Sequence, residues 1–342
     1  MSGVSLKNVS VTYSGRKALM SVSADFPVGS LSIVIGLNGA GKTTLLKTVA
    51  GLVGYDGNVF IRGRLVDEVP PNLRGISYVP QNNALIPSLK VWWNIALGLI
   101  DRVRGSRVIE KRVEEVAQAL GIRHLLNRYP KELSGGEARR VAIARALAFD
   151  SDIVLMDEPE LSVDVQTWQI ILDAVLKMRR SGKTVMLTTH NFEDLMPYVD
   201  VLCLLHEGNA LFVGSPANLE TENLPSDVRA WLGSVIKVDG LECSEGDFCV
   251  VFLDGYGIYA GPRKEHVRKY GKVLVLPKHV TVDQEGLLKG RVIRKIGCHA
   301  GRIITVVEIN GRELVVTSRE TLPDGTTVGL SVGKAIPLGG VY

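Results

Sequence analysis

The sequence lacks the features of membrane-spanning and exported proteins. Its apolar runs are short: residues 91–100 include Asn94, and residues 201–205 end at His206. A helix that crosses a bilayer needs about 20 apolar residues. The first ten residues hold no apolar block preceded by positive charge, so no signal peptide is visible. If the protein works at a membrane, we expect another chain to supply the membrane span.

Cysteine is scarce, and neither sign of charge dominates. The 342 residues include four cysteines, none of them in a CxxC pair, so no spacing typical of a zinc site is present. So few cysteines in so long a chain do not indicate a disulfide framework and fit a reducing cytosol, although hyperthermophile proteins can break this rule. Forty Lys and Arg against 36 Asp and Glu give a net charge of +4, too balanced to predict a nucleic-acid partner.

Two residue patterns divide the sequence near residue 235. Before it, short apolar runs alternate with stretches whose apolar residues recur every three or four positions. This alternation predicts buried parallel strands separated by helices, an α/β domain over residues 1–234. After it, short β-rich runs separated by turns such as Asn310-Gly311 predict a small all-β domain over residues 235–342.

Residues 36–43 match the phosphate-loop pattern G-x-x-x-x-G-K-[ST], with an apolar run before them and a helical stretch after them. Glycines let backbone N–H groups turn toward a triphosphate, and the helix N-terminus adds positive potential. Lys42 can reach the β- and γ-phosphates, and the Thr43 hydroxyl can bind Mg²⁺. The predicted nucleotide-binding residues are Gly36, Leu37, Asn38, Gly39, Ala40, Gly41, Lys42, Thr43 and Thr44.

A second part of the predicted site lies at residues 153–158, where an apolar run ends in two acidic residues. Asp157 matches the Walker B carboxylate that holds Mg²⁺. Glu158 can polarise a water molecule for attack on the γ-phosphorus. Two solvated acids at a strand end are the alternative, which the phosphate loop upstream disfavours.

The run Leu133-Ser134-Gly135-Gly136-Glu137 lies between these two motifs and resembles the signature of ABC-type ATPases. Other residues resemble the remaining landmarks of that family, in the expected order: Tyr13, which stacks on adenine; Gln81 of the Q-loop; Asp164 of the D-loop; and His190, the switch histidine. The resemblance covers residues 4–230. It implies a P-loop NTPase fold with a RecA-like core, an antiparallel β subdomain and a helical subdomain at about residues 85–150.

The resemblance also implies roles. Lys42, Glu158 and His190 are expected to be catalytic, with Glu158 orienting the attacking water. Thr43, Gln81 and Asp157 are expected to hold Mg²⁺. The expected contacts with ATP add Tyr13, Gln81, Ser134, Gly135, Gly136, Glu137 and Asp164 to the phosphate loop. Two positions depart from the family pattern: Leu161 stands where serine is common, and Glu137 replaces a frequent glutamine.

In this family two ATPase domains dimerise head to tail, so that the signature of one faces the γ-phosphate bound by the other. This chain has one phosphate loop and one signature. A second ATPase subunit is therefore implied, as a homodimer or, alternatively, as a heterodimer with a paralogue.

The β-rich tail resembles the OB-like regulatory domain of importer subunits for sugars, oxyanions, polyamines and iron. The resemblance implies a peripheral subunit on the cytoplasmic face of the cell membrane, with permease subunits as partners and an extracytoplasmic solute-binding protein as an indirect one. Residues 190–194 resemble oxyanion and iron importers slightly more than sugar importers. We therefore expect an oxyanion such as molybdate or tungstate; a sugar or iron importer and an exporter are the alternatives.

Overall fold

The structure is a computed structural model, and it describes residues 2–100, 105–237, 240–243, 248–253, 256–262, 272–282, 286–299 and 302–338. Contacts divide the chain into two compact units, Met1–Phe192 with Val201–Val213, and Glu193–Asp200 with Gly214–Tyr342. The second unit thus takes residues 214–234, which the sequence pattern assigns to the first domain. That each domain folds by itself, with a boundary near residue 235, stays a prediction.

The first unit contains both strands and helices. In chain order they are β1 (Ser2–Tyr13), β2 (Arg16–Pro27), β3 (Leu31–Ile35), α1 (Lys42–Ala50), β4 (Asp56–Ile61), β5 (Arg64–Leu65), β6 (Ile76–Val79), α2 (Val91–Ile100), α3 (Ser106–Ala119), α4 (Gly135–Ala148), β7 (Ile153–Asp157), α5 (Val165–Arg180), β8 (Thr184–Thr188), β9 (Val201–His206) and β10 (Asn209–Gly214).

The sheet that carries the site has six strands in the order β10-β9-β3-β8-β7-β6. β3 pairs in parallel with β8 and β9, and β7 with β6 and β8. Every residue of β3, β7 and β8 is buried, in agreement with their continuous apolar runs, because elements cover both faces of a parallel sheet. The carboxyl ends of β6, β7 and β8 therefore lie side by side, and the residues after them can meet.

Two smaller groups of elements complete the first unit. β2, β1, β4 and β5 form an antiparallel sheet in that order. α2, α3 and α4 pack on one another through buried residues such as Ile95 and Val113. Within the described ranges, every helix is too short or too polar to cross a lipid bilayer. The predicted α/β P-loop class is confirmed.

The second unit is rich in antiparallel β structure. Its elements are α6 (Ser226–Leu232), β11 (Ser234–Lys237), β12 (Gly240–Cys243), β13 (Phe248–Leu253), β14 (Tyr256–Pro262), β15 (Lys272–Val275), β16 (Val280–Val282), β17 (Leu288–His299), β18 (Arg302–Ile309), β19 (Arg312–Ser318), β20 (Thr327–Val332) and β21 (Ile336–Pro337). The strand orders are β11-β15-β21, β12-β13-β14 and β16-β20-β17-β18-β19. A separate apolar core, including Val275, Val307 and Leu330, lies inside this unit.

The predicted hairpin at Asn310-Gly311 is confirmed. These two residues join β18 to β19, whose register runs from Ile309 opposite Arg312. Both have positive φ, 48° and 79°, as a two-residue turn matched to strand twist requires. The local sequence therefore sets the register of this strand pair.

A buried carboxylate organises charge in the second unit. The Glu193 side chain is 8% exposed. Its Oε1 atom contacts the ammonium group of Lys278, and its Oε2 atom lies 2.8 Å from the ammonium group of Lys334. The His279 Nε2 atom lies 3.1 Å from the same carboxylate. Burial by itself raises the pKa of Glu193, but the hydrogen bonds and charges of Lys278 and Lys334 outweigh it and lower the pKa to about 2.

Glu193→Gln should destabilise the second unit at neutral pH, by about 1.5–3 kcal/mol for lost charged hydrogen bonds. Since the folded-state pKa is lowered from 4.5 to about 2, the stabilisation is fully present above the unfolded pKa and is lost as pH falls toward the folded one. Thermal unfolding of the intact chain should show a difference from wild type that shrinks below pH 4.5. Glu222→Gln, at an exposed position of the same unit, is the control; a difference independent of pH would contradict the prediction.

Candidate functional site

The phosphate loop connects β3 to α1, and two of its glycines, Gly36 and Gly41, have no room for a side chain. A Cβ atom on Gly36 would lie 2.2 Å from the carbonyl oxygen of Leu205, and one on Gly41 would lie 2.5 Å from that of Ala18. Gly39 and Gly41 also adopt positive φ, 79° and 104°, which L-residues disfavour. No side chain of the described residues caps the N-terminus of α1, so its first N–H groups can bind an anion.

The Lys42 side chain folds back over this loop. Its Nζ atom donates to the carbonyl oxygens of Gly36 at 2.9 Å and Leu37 at 3.2 Å. Burial lowers the pKa of Lys42, while the carboxylates of Glu158 and Asp157 act in the opposite direction. The lysine and the two acids therefore share one site. Of the other loop residues, Ala40 is buried, Thr43 and Thr44 are half-buried, and Asn38 is exposed.

The carboxylate of Asp157, 1% exposed at the end of β7, is held by hydroxyl groups. Its Oδ1 atom accepts from Thr43 Oγ1 at 3.0 Å and from Thr188 Oγ1 at 2.7 Å. Its Oδ2 atom accepts from Tyr78 Oη at 3.4 Å. A threonine hydroxyl beside a carboxylate supplies the hard oxygens that Mg²⁺ prefers, so these residues fit that ion.

Tyr78 remains a hydrogen-bond donor toward Asp157. Burial raises the pKa of Tyr78, and the charge of Asp157 raises it further. The phenol is therefore protonated at neutral pH. The sequence motif at residues 78–81 draws attention to Gln81 and does not reveal this contact.

Glu158 directly follows β7, and it contacts side chains that follow the two strands beside β7 in the sheet, β6 and β8. Its Oε2 atom accepts from Gln81 Nε2 at 2.8 Å, and Gln81 follows β6. Its Oε1 atom lies 2.8 Å from His190 Nε2, and His190 follows β8. The Glu158 side chain is 13% exposed. This nearly buried carboxylate therefore contacts both Gln81, which resembles the Q-loop glutamine, and His190, which resembles the switch histidine.

The backbone around Glu158 is also held in place. Glu158 has φ 46°, in the left-handed region, and its N–H group donates to the Thr188 carbonyl at 3.2 Å and the Thr188 hydroxyl at 3.0 Å. The Glu160 carboxylate accepts from the Thr189 hydroxyl at 2.7 Å and from the His190 N–H at 2.8 Å. Thr188 and Glu160 thus position the acidic and switch residues.

The signature residues begin α4. Ser134 is the N-cap: its hydroxyl accepts from the Glu137 N–H at 3.3 Å, and its own N–H donates to the Glu137 carboxylate at 2.7 Å. This reciprocal arrangement is a capping box. The Ser134 backbone N–H lowers the pKa of Glu137. A carboxylate suits this position, which explains why Glu137 can replace glutamine there.

Asp164 lies beside the signature and caps α5. Its Oδ1 atom accepts from the Thr167 N–H at 2.7 Å, a contact that lowers the pKa of Asp164. A Cβ atom on Gly136 would lie 3.3 Å from the Thr167 hydroxyl. Ser134 and Gly135 are exposed. The signature and Asp164 therefore form a second surface cluster, distinct from the group around Glu158.

Tyr13 ends β1 and is 44% exposed. An aromatic ring with nearly half of its surface open can stack on a planar base. Its position at the end of β1 leaves one face of the ring available to a ligand.

Sequence reasoning missed four residues that shape this geometry: Tyr78, Arg139, Glu160 and Thr188. Arg139 carried the clearest signal, because a charged residue flanked by the alanines and aliphatic residues of α4 has to find polar partners if it is buried. Glu160 carried a weaker one, as an acidic residue directly after the pair Asp157-Glu158 and Pro159.

Comparison with known proteins agrees with this geometry. The family model described as ABC transporter matches residues 19–160. A molybdate/tungstate import ATP-binding protein of Thermococcus kodakarensis is 39% identical over 225 residues, 65% of this chain and 68% of that protein. A glucose import ATP-binding protein of Saccharolobus solfataricus is 33% identical over 328 residues, 91% of each chain.

Solved structures share the fold of a large part of this chain. The dimeric post-hydrolysis structure of the ATP-binding cassette MJ0796 bound to ADP and Pi has a TM-score of 0.58 and 30% identity, over 61% of this chain and 97% of that one. The relatives above are matched over two thirds or more of their own length at 33–39% identity. The chain therefore belongs to the ABC transporter family, as an ATP-hydrolysing, ATP-binding subunit of importer type.

Proposed function

We propose that this chain hydrolyses ATP at the Glu158 site and thereby powers import of an oxyanion, molybdate or tungstate. The carboxylate of Glu158, with Gln81 and His190 each 2.8 Å from it, carries the catalytic part of the proposal. It lies beside the Asp157 carboxylate and the Lys42 ammonium, so that a base, a metal ligand and a phosphate-binding cation occupy one site.

The residues divide the chemistry among them. Lys42 and the N–H groups of the loop bind the phosphates, and Tyr13 stacks on adenine. Thr43 and Asp157 would hold Mg²⁺, with Gln81 nearby, and the bound ion neutralises charge on the phosphates. Glu158 orients the attacking water, and His190 supports the γ-phosphate. Gln81 and His190 each contact one oxygen of Glu158, and because a carboxylate has about four acceptor sites, the attacking water can bind beside them.

Glu158→Gln should lower the ATP turnover rate by about 10²–10⁴, the usual worth of a general base, and leave ATP binding intact. The amide keeps the shape of the side chain and loses the charge that orients water. Steady-state ATPase rates and a parallel nucleotide-binding assay measure the two effects.

Two further variants control this experiment. Lys42→Ala removes a cation from the triphosphate and should weaken ATP binding itself. Glu68→Gln, at an exposed acid of the same unit, should change neither property. Turnover near the wild-type rate in Glu158→Gln would rule out Glu158 as the base.

The functional assembly in this proposal is a head-to-tail homodimer. Ser134 and Gly135 are exposed and lie in a different cluster from Lys42, so they are available to the nucleotide bound by a second subunit. Dimeric structures of the cassette MJ0796, 30% identical to this chain, support the same arrangement. Ser134, Gly135, Gly136, Glu137 and Asp164 complete the partner's site.

ATP should convert Glu158→Gln from monomer to dimer, because the γ-phosphate then bridges Lys42 of one chain and Ser134 of the other and is not hydrolysed. Size-exclusion chromatography with light scattering measures the mass with and without ATP. Adding Lys42→Ala to Glu158→Gln should abolish the change. A mass that ATP leaves unaltered would count against the homodimer.

A stripe on α2 suits a membrane partner. Trp93, Leu97 and Ile100 recur at helical spacing and are 48%, 38% and 45% exposed. Exposed apolar residues on one helix face mark interaction sites. We infer that permease subunits dock there and hold the chain at the cytoplasmic face of the membrane; a solute-binding protein acts on the other side.

The solute assignment depends on relatives. Three import ATP-binding proteins named for molybdate/tungstate are 39%, 37% and 36% identical to this chain. The glucose import protein is the second candidate, because its 33% identity extends over 91% of both chains and so includes the second unit.

Cells that lack this gene should lose uptake of molybdate and tungstate, measured by the metal content of washed cells, and should keep uptake of labelled glucose. The wild-type gene should restore uptake, whereas Glu158→Gln should not. Loss of glucose uptake alone would favour the sugar alternative.

Leu97→Asp should fail to restore uptake although the isolated variant hydrolyses ATP. Leu73→Asp, at another exposed apolar residue, is its control.

A further inference from the structure

We propose that Arg139 is a positioning residue for ATP hydrolysis, which fixes the backbone of Glu158 and the loop of Gln81 to the helix that begins with the signature. This inference rests on the proposed role of Glu158 as the base. Arg139 lies in the second turn of α4 and is 1% exposed. Its side chain contacts no nucleotide-binding group of the phosphate loop among the hydrogen bonds of the described residues, so its effect has to pass through other residues.

The guanidinium group first holds the acidic end of β7. Its Nη2 atom donates to the carbonyl oxygens of Asp157, at 2.6 Å, and of Glu158. Its Nε atom donates to the carbonyl oxygen of Pro159 at 3.2 Å. Three consecutive carbonyl groups, on the residues that carry the metal ligand, the base and the following turn, therefore converge on one side chain.

The same group also holds the loop after β6. Its Nη1 atom donates to the Pro80 carbonyl at 2.7 Å and to the Asn83 Oδ1 atom at 2.9 Å, with the Gln81 carbonyl at 3.5 Å. The Gln81 side chain in turn donates to Glu158. Both partners of the Gln81–Glu158 contact are thus anchored to Arg139.

Glu158 requires such an anchor because its backbone is in a disfavoured conformation. A φ of 46° is uncommon for a residue with a side chain, and such conformations persist when the surroundings hold them. The carbonyl and hydroxyl oxygens of Thr188 accept hydrogen bonds from the Glu158 N–H group. Arg139 donates a hydrogen bond to the Glu158 carbonyl oxygen. The direction of the Glu158 carboxylate follows from this backbone, so loss of either contact should misalign the base.

The planar guanidinium is needed for this task. It presents five N–H donors in a fixed fork, whereas an ammonium group presents three from one atom. Burial lowers the pKa of Arg139, and the carboxylates of Glu160, Asp157 and Glu158 oppose that effect. A lysine would keep the charge and could not reach β7 and the Gln81 loop at once.

Arg139→Lys should lower kcat by about 10–10², the loss expected when a reacting group is displaced by about 1 Å, and should leave the KM for ATP close to wild type. Arg145→Lys is the matched control. Arg145 is a half-buried arginine of α4, and its guanidinium donates to the carbonyl oxygens of Asn83 and Ala84. The Arg145→Lys variant should lose about as much stability as Arg139→Lys and should keep the wild-type kcat.

A double variant tests whether Arg139 acts through Glu158. Adding Arg139→Lys to Glu158→Gln should reduce the residual rate no further, because the base is already absent. An unchanged kcat in Arg139→Lys, an equal fall in Arg145→Lys, or a further loss in the double variant would overturn the proposal. If Arg139→Lys does not fold by circular dichroism, Arg139→Gln replaces it with the same expected results.

These outcomes separate the two proposals. A Glu158→Gln enzyme without turnover beside a fully active Arg139→Lys enzyme would refute the role of Arg139 alone. A Glu158→Gln enzyme that turns over at the wild-type rate would refute the catalytic role of Glu158, and the role of Arg139 with it.

Discussion

Burial of the Asp157 carboxylate at the end of β7 is the constraint on which the site depends. A carboxylate that is 1% exposed must be hydrogen-bonded, because a buried charge without partners is strongly destabilising. Its partners come from α1 through Thr43, from β8 through Thr188 and from β6 through Tyr78. Satisfying one buried charge therefore fixes the phosphate loop and three strands relative to one another.

The first unit holds two groups of functional residues. Lys42, Asp157 and Glu158 form one group, and Ser134 with Asp164 forms the other. α4 carries Ser134 at its start and Arg139 in its second turn. A rigid helix between the signature and the guanidinium means that the position of one group constrains the other. The charge cluster of the second unit is near this region along the chain, since only two residues separate His190 from Glu193.

Much of the fold could be predicted from local patterns. The continuous apolar runs of β3, β7 and β8 indicated strands buried on both faces, and Asn310-Gly311 indicated a hairpin. Gly36, Gly41 and Lys42 have fixed spacing because a phosphate loop needs those residues in that order. The pattern Ser134-x-x-Glu137 likewise encodes its own capping box. Each of these features involves residues close together in sequence, whose geometry depends little on the rest of the chain.

By itself, then, the sequence determined the P-loop class, the order of the motifs and the hairpin register. Only the tertiary structure decided which groups meet around Glu158 and where the second unit takes up residues 193–200. Arg139 lies 18 or more positions from the carbonyl groups of residues 157–159 that it binds, and Glu193 lies 85 or more from Lys278 and Lys334. Hydrogen bonds and ion pairs act over a few ångströms, so such partners are set by how distant segments pack and leave no periodic trace in the sequence.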